Sequence, residues 1–203
     1  MSNKTLVIVE SPGKIKKIGS YLGPNYIVKA SFGHVYDLNP KGISVDINNN
    51  FEPQYEVTKD KRKVVSELRN TLKSCKDVIL AADDDREGEA IAWCLAQVLK
   101  LKNQKRMIFH EITKSALQKS LKNIGKINDK LVKAQQARRV LDRIVGYKVS
   151  PILWSNIAPK LSAGRVQSVV TKIVVDRENE IKNKDCTLYY RFNGHFTTKN
   201  NEK

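Results

Sequence analysis

Two short apolar runs that each end in carboxylates limit what this chain can fold into. Residues 5–9 (TLVIV) are rich in β-branched side chains, too short for a helix, and stop at Glu10-Ser11-Pro12-Gly13. Such a run reads as a buried strand leaving a sheet into a loop. Residues 78–82 (VILAA) do the same and lead straight into Asp83-Asp84-Asp85-Arg86-Glu87. Around these runs, residues 14–22 and 88–99 have helix composition, and residues 59–72 place apolar side chains at 64, 65, 68 and 72, the spacing of a helix with one buried stripe. Residues 26–31 read as extended, residues 33–38 as a turn and short strand, and residues 106–109 as a further short strand. This alternation predicts an α/β fold, a parallel sheet flanked by helices. Residues 39–58, with Pro40, Gly42, three consecutive Asn and Pro53, predict a long excursion over the surface.

From Thr113 onward the pattern changes to helix after helix, so a mainly α-helical segment comes after the sheet. Leu131, Ala134, Leu141 and Val145 share one face of a helix there, while Arg138, Arg139 and Arg143 stand on another. Trp93 and Trp154 sit among apolar neighbours and are expected in the core rather than as base-stacking platforms. Residues 187–198 (TLYYRFNGHFTT) alternate like the first strand of a β-domain whose partner strands are missing. The chain therefore divides into residues 1–118, 119–184 and 185–203, and reads as truncated.

Charge narrows the partners. Thirty-seven Lys and Arg against 21 Asp and Glu leave a net +16, and residues 113–184 alone hold 16 basic residues against five acidic ones. A polyanion is the expected partner, nucleic acid first; a solvated Lys-rich surface is the plain alternative. The three cysteines, Cys75, Cys94 and Cys186, lack both a C-x-x-C pair and a histidine at zinc spacing, which argues against zinc and a disulfide frame. No apolar stretch approaches a membrane span or a signal h-region, so a reducing, cytoplasmic setting and a monomeric state are expected. Ser11-Pro12-Gly13-Lys14 lacks the spacing of a P-loop.

In an open parallel sheet, chemistry gathers beyond the C-terminal strand ends, where Glu10 and the cluster at 83–87 both fall. If the strand runs on, residues two apart face the same way, so Asp83, Asp85 and Glu87 project together with Asp84 and Arg86 turned aside. Carboxylates from two segments in one crevice repel one another unless a cation sits between them, and hard oxygen donors suit Mg²⁺ bridging to phosphate. That chemistry is a metal-dependent phosphodiester site. The duller account is that Asp85 and Glu87 cap the next helix and favour its positive end. For Lys14 it is solvent exposure, and for His34 a local turn contact.

Three motifs in order, residues 7–14 (VIVESPGK), 33–38 (GHVYDL) and 82–92 (ADDDREGEAIA), resemble the Toprim domain of type IA DNA topoisomerases. Residues 134–147 (AQQARRVLDRIVGY) and 161–169 (LSAGRVQSV) resemble the start of that family's helical domain, which binds single-stranded DNA beside the Toprim site. The resemblance covers about residues 5–182. It implies an enzyme that relaxes negatively supercoiled DNA with Mg²⁺, by nicking one strand, holding it through a phosphotyrosine, passing another strand and resealing. Asp83, Asp85 and Glu87 would hold the metal with Glu10, which acts as acid or base at the leaving oxygen. Lys14 would neutralise the scissile phosphate, with His34 in the same catalytic group. Arg138, Arg139, Asp142, Arg143, Arg165 and Gln167 would form the DNA-binding set, Gln135 offering a further hydrogen bond. Arg138 and Asp142 are four apart and can also simply pair. None of the seven tyrosines stands in the nucleophile's motif, so the chain alone is expected to be inactive. Two competing readings stay open: a Toprim nuclease or primase-like protein complete at this length, and a non-catalytic basic DNA-binding module.

Overall fold

The computed structural model describes residues 3–185 and 188–196. In chain order its elements are β1 (Thr5–Val9), α1 (Ile15–Leu22), β2 (Tyr26–Ala30), β3 (Tyr36–Leu38), β4 (Val45–Asp46), β5 (Glu52–Pro53) and β6 (Tyr55–Val57). They continue with α2 (Arg62–Ser74), β7 (Asp77–Ala81), α3 (Arg86–Leu99), β8 (Lys105–Arg106), α4 (Lys114–Lys122), α5 (Asp129–Asn156) and α6 (Arg165–Lys182). The chain divides into two compact units, Met1–Ser162 and Ala163–Lys203.

The first unit is built on the expected parallel sheet, with strand order β2-β1-β7-β8. Every residue of β1 is buried, which is why TLVIV reads as a continuous rather than an alternating run. Its side chains part by parity. Leu6 and Ile8 enter one apolar cluster with Val65, Leu68, Ile91 and Leu95 of α2 and α3. Val7 and Val9 enter the other with Ile18 of α1 and Leu117 of α4. The sheet thus has helices on both faces. Register aligns the strand ends: Val9 stands opposite Ala30 on one side and Ala81 on the other, so the three strands end in one row.

The excursion over 39–58 is more ordered than the sequence suggests. β3 pairs antiparallel with β6 and β4 with β5, and Leu38, Val45 and Val140 form a third apolar cluster with Ile43, Tyr55 and Ile144. These two small sheets, together with α3, decide which face of α5 is covered. The buried stripe runs through Val132, Val140 and Ile144, whereas Leu141, on the expected apolar face, is 46% exposed. Two apolar stripes compete on this helix, and the tertiary partner chooses between them. Trp93 packs edge-on against Tyr55 with ring centroids 6.0 Å apart, as a core residue does. Trp154 does not: it is half exposed, its indole N–H donating to the Leu161 carbonyl, and Ile152 in the last turns of α5 and Ile157 just beyond it are exposed as well.

In the second unit, α6 starts from Gly164 and buries none of its residues within the chain; pairs such as Lys172–Asp176 (2.8 Å) run along its surface. Residues 188–196 form no strand. An isolated β-segment has its ladder groups unpaired, and this stretch finds no second strand to pair with among the described residues. Thr187, Cys186 and residues 197–203 lie outside the described residues. No helix among those described is long and apolar enough to cross a membrane.

Candidate functional site

Because Val9 and Ala81 share a row of the sheet, Glu10 and the Ala82-Asp83 segment leave neighbouring strands side by side. Glu10 is followed by a short 3-10 turn, Pro12–Lys14, and the Lys14 ammonium pairs with the Asp83 carboxylate. Burial pushes the Glu10 carboxyl above its ordinary pKa, and the charges of Asp83 and Asp85 push the same way; Lys14 and His34 oppose them without prevailing. Glu10, Asp83 and Asp85 are therefore one electrostatic group.

Asp85 ends the extended segment. It is the N-cap of α3, its Oδ1 accepting the Gly88 N–H at 2.6 Å. Helical geometry starts at Arg86, so strand alternation does not reach Glu87. Glu87 lies in the first turn of α3 instead, 2.6 Å from His34 Nε2 and accepting from Gln135 Nε2 at 3.3 Å. Burial raises the Glu87 pKa, but these partners outweigh it and hold the carboxyl below its ordinary value. Asp84 faces His110 at 3.6 Å. The expected four-carboxylate cluster is accordingly split. Among the described residues no three His, Cys, Asp or Glu side chains are grouped as a cation would need, since Lys14, the helix cap and His34 each occupy one acid. The donor chemistry of Glu10, Asp83 and Asp85 still suits a hard cation: their mutual repulsion is what such an ion relieves.

The arginines separate by their partners. Arg139 forks onto Asp37, its Nε donating at 3.0 Å. That bond overcomes the burial that would raise Asp37 and holds the carboxyl below its ordinary pKa, and the same bond raises Arg139. Arg143 donates to the carbonyls of Asn39 (3.0 Å) and Gly42 (3.3 Å) and stacks over Tyr147, fastening the excursion to α5. Arg138 is 56% exposed, 3.9 Å from Asp142, and lines an open recess with Asp85, Glu87 and Gln135. Arg165 and Gln167 lie in the first turn of α6, in the other unit.

Sequence reasoning missed one feature altogether. Arg106 and Glu89, both 1% exposed, form a buried ion pair at 2.8 Å behind the acidic loop. Two opposite charges standing inside otherwise apolar runs, GEAIAWCL and KRMIF, were the available signal. Gly88 was another: a Cβ there would lie 2.2 Å from the Asp83 carbonyl oxygen, so the loop and α3 close only around glycine.

The Toprim domain family matches residues 5–112, and a family described as DNA topoisomerase matches residues 126–203. A protein named DNA topoisomerase 1 type prokaryotic, from Acanthamoeba polyphaga mimivirus, is 55% identical over 195 residues, which are 94% of this chain and 23% of that protein. DNA topoisomerase 1 of Streptomyces coelicolor is 49% identical over 210 residues, 96% of this chain and 22% of its own. The solved structure of full-length topoisomerase I from Thermotoga maritima superposes with a TM-score of 0.79 at 48% identity, over 89% of this chain and 31% of that one. The chain thus spans under a quarter of the length of the curated relatives it matches.

Proposed function

Since the chain belongs to the type IA DNA topoisomerases, with a Toprim domain followed by the start of the family's topoisomerase domain, we propose that it supplies the metal-assisted half of a strand-cleaving and resealing site. The parent enzyme relaxes negatively supercoiled DNA through a transient break in one strand. The observation that carries this reading is the register of β1 and β7, with Glu10 beside Asp83 and Lys14 paired to it.

Each residue has a task. Glu10, its pKa raised, keeps a proton closer to neutral pH than a free glutamate and can donate it to the oxygen that leaves phosphorus, then take it back on resealing. Lys14 moves from Asp83 to the scissile phosphate, a shift between two anions. Mg²⁺ would be held by Asp83 and Asp85, with Glu10 able to join them only once it has given up its proton, and would supply charge neutralisation at the phosphate. His34 stays with Glu87 and orients it. Arg138, and Arg165 with Gln167 at the start of α6, bind the phosphates of a single strand, a contact that carries little sequence information. In that reading the protein is a cytoplasmic monomer. No tyrosine of this chain stands in the nucleophile's motif, so by itself it binds DNA without cutting it.

The test is Mg²⁺ titration by calorimetry on this chain and on its Asp83→Asn, Asp85→Asn double variant, with single-stranded DNA binding followed alongside. Metal binding is expected in the first and lost in the second. Metal-independent DNA binding that ignores both substitutions would leave a basic module whose acids serve the fold, a reading that the capping role of Asp85 favours. Mg²⁺-dependent nicking by the chain alone would point to a nuclease.

A further inference from the structure

Arg106 heads the large side chains shut off from solvent, and its bonds go to the acidic loop as much as to its ion-pair partner. Nε donates to Glu89 Oε1 at 2.8 Å. Nη1 donates to the carbonyls of Ala82 at 2.7 Å and Met107 at 2.6 Å, and Nη2 to the Asp83 carbonyl at 2.6 Å. The planar fork of a guanidinium is suited to holding two successive carbonyls in fixed directions, which an ammonium cannot do. Glu89 extends the reach of the pair. Its second oxygen accepts the backbone N–H of Asn128 at 3.0 Å, and the Asn128 side chain caps α5. From α5 come Gln135, bonded to Glu87, and Arg139, bonded to Asp37.

Stability alone is a weak reason to bury such a pair, because well-packed apolar residues of similar volume often serve a fold as well or better. We propose that Arg106 and Glu89 are positioning residues of the acidic site, fixing the backbone of Ala82 and Asp83 and the start of α5, and with them the place of Asp83 beside Glu10. Neither touches the reacting atoms. The purpose assigned to that site rests on the function proposed above; the positioning itself does not.

Two variants separate positioning from support of the fold. Arg106→Met with Glu89→Leu removes both charges together, so no lone buried charge is left to unfold the chain. Arg106→Lys keeps the charge opposite Glu89 and loses the forked hold on the loop. In each, hydrogen exchange of the metal-free protein is read at the Gly88 amide, which donates to Asp85, against the central amides of β7. Mg²⁺ affinity is read by calorimetry. Gly88 exchange is expected to rise at least tenfold and Mg²⁺ to bind at least tenfold more weakly, while β7 keeps its protection. Wild-type exchange at Gly88 in either folded variant overturns the proposal. If the unaltered protein binds no Mg²⁺, the functional reading fails, and the exchange comparison still decides this one.

Discussion

Glu10 shows how a single side chain registers the whole site. Burial, then Asp83, then Asp85 raise its pKa, against the pull of Lys14 and His34. Followed by carboxyl NMR in the metal-free protein, its midpoint is expected above that of a free glutamate, and Asp83→Asn is expected to lower it. A midpoint unmoved by that change would leave burial and Asp85 as the causes. Linkage gives the sign for stability. A carboxyl with a raised folded pKa binds its proton more tightly when folded, so its contribution is present below the unfolded pKa and lost as pH rises through the folded one. Asp37 and Glu87 run the other way: lowered when folded, they contribute above the unfolded pKa and lose that contribution as pH falls through the folded one. Neutral pH therefore favours the ionised carboxylates of Asp37 and Glu87 and disfavours Glu10, the trade expected where a carboxyl is kept for chemistry.

The first turn of α3 is the element that shapes the site, and two substitutions probe it. Asp85→Ala removes the cap and is expected to cost about 1 kcal/mol. Gly88→Ala forces a methyl against the Asp83 carbonyl 2.2 Å away, where backbone cannot yield cheaply, and is expected to cost about 1–3 kcal/mol. Denaturant unfolding of both ranks them, and a Gly88→Ala variant as stable as the parent would remove the argument for close closure. The same turn marks how far sequence could be read. β1 and β7 were legible because buried parallel strands carry continuous β-branched runs, and their polar ends located Glu10 and Asp83. For Glu87 two readings competed, strand alternation carried past Asp85 and service at the start of the next helix, and the structure has the second. The buried face of α5 departs from the apolar face read in the sequence, because part of what covers it, the two small sheets β3-β6 and β4-β5, sits in a stretch whose Pro, Gly and Asn read as loop. Arg106 and Glu89 stand 17 residues apart, and no local pattern states which buried charge meets which.

Across the whole molecule the question is whether the net +16 charge makes a DNA track or only a solvated surface. Salt separates the two, because each phosphate neutralised on a single strand releases condensed counterions and adds about −0.7 to the slope of log affinity against log salt. The arginines should then contribute unequally. Arg138 is mostly exposed and, among the described residues, faces a carboxylate no nearer than 3.9 Å, so Arg138→Ala is expected to make the slope shallower by about 0.7 and leave stability almost unchanged. Arg143 already spends its donors on the carbonyls of Asn39 and Gly42, so Arg143→Ala is expected to lower stability, by loosening the excursion from α5, and to leave the slope as it was. Fluorescence titrations of labelled single-stranded DNA at several salt concentrations, with thermal unfolding of the same two variants, test both halves. A slope near zero for the parent chain would mean that its basic residues solvate a surface; equal slope losses in the two variants would mean that Arg143 leaves its carbonyls when DNA arrives.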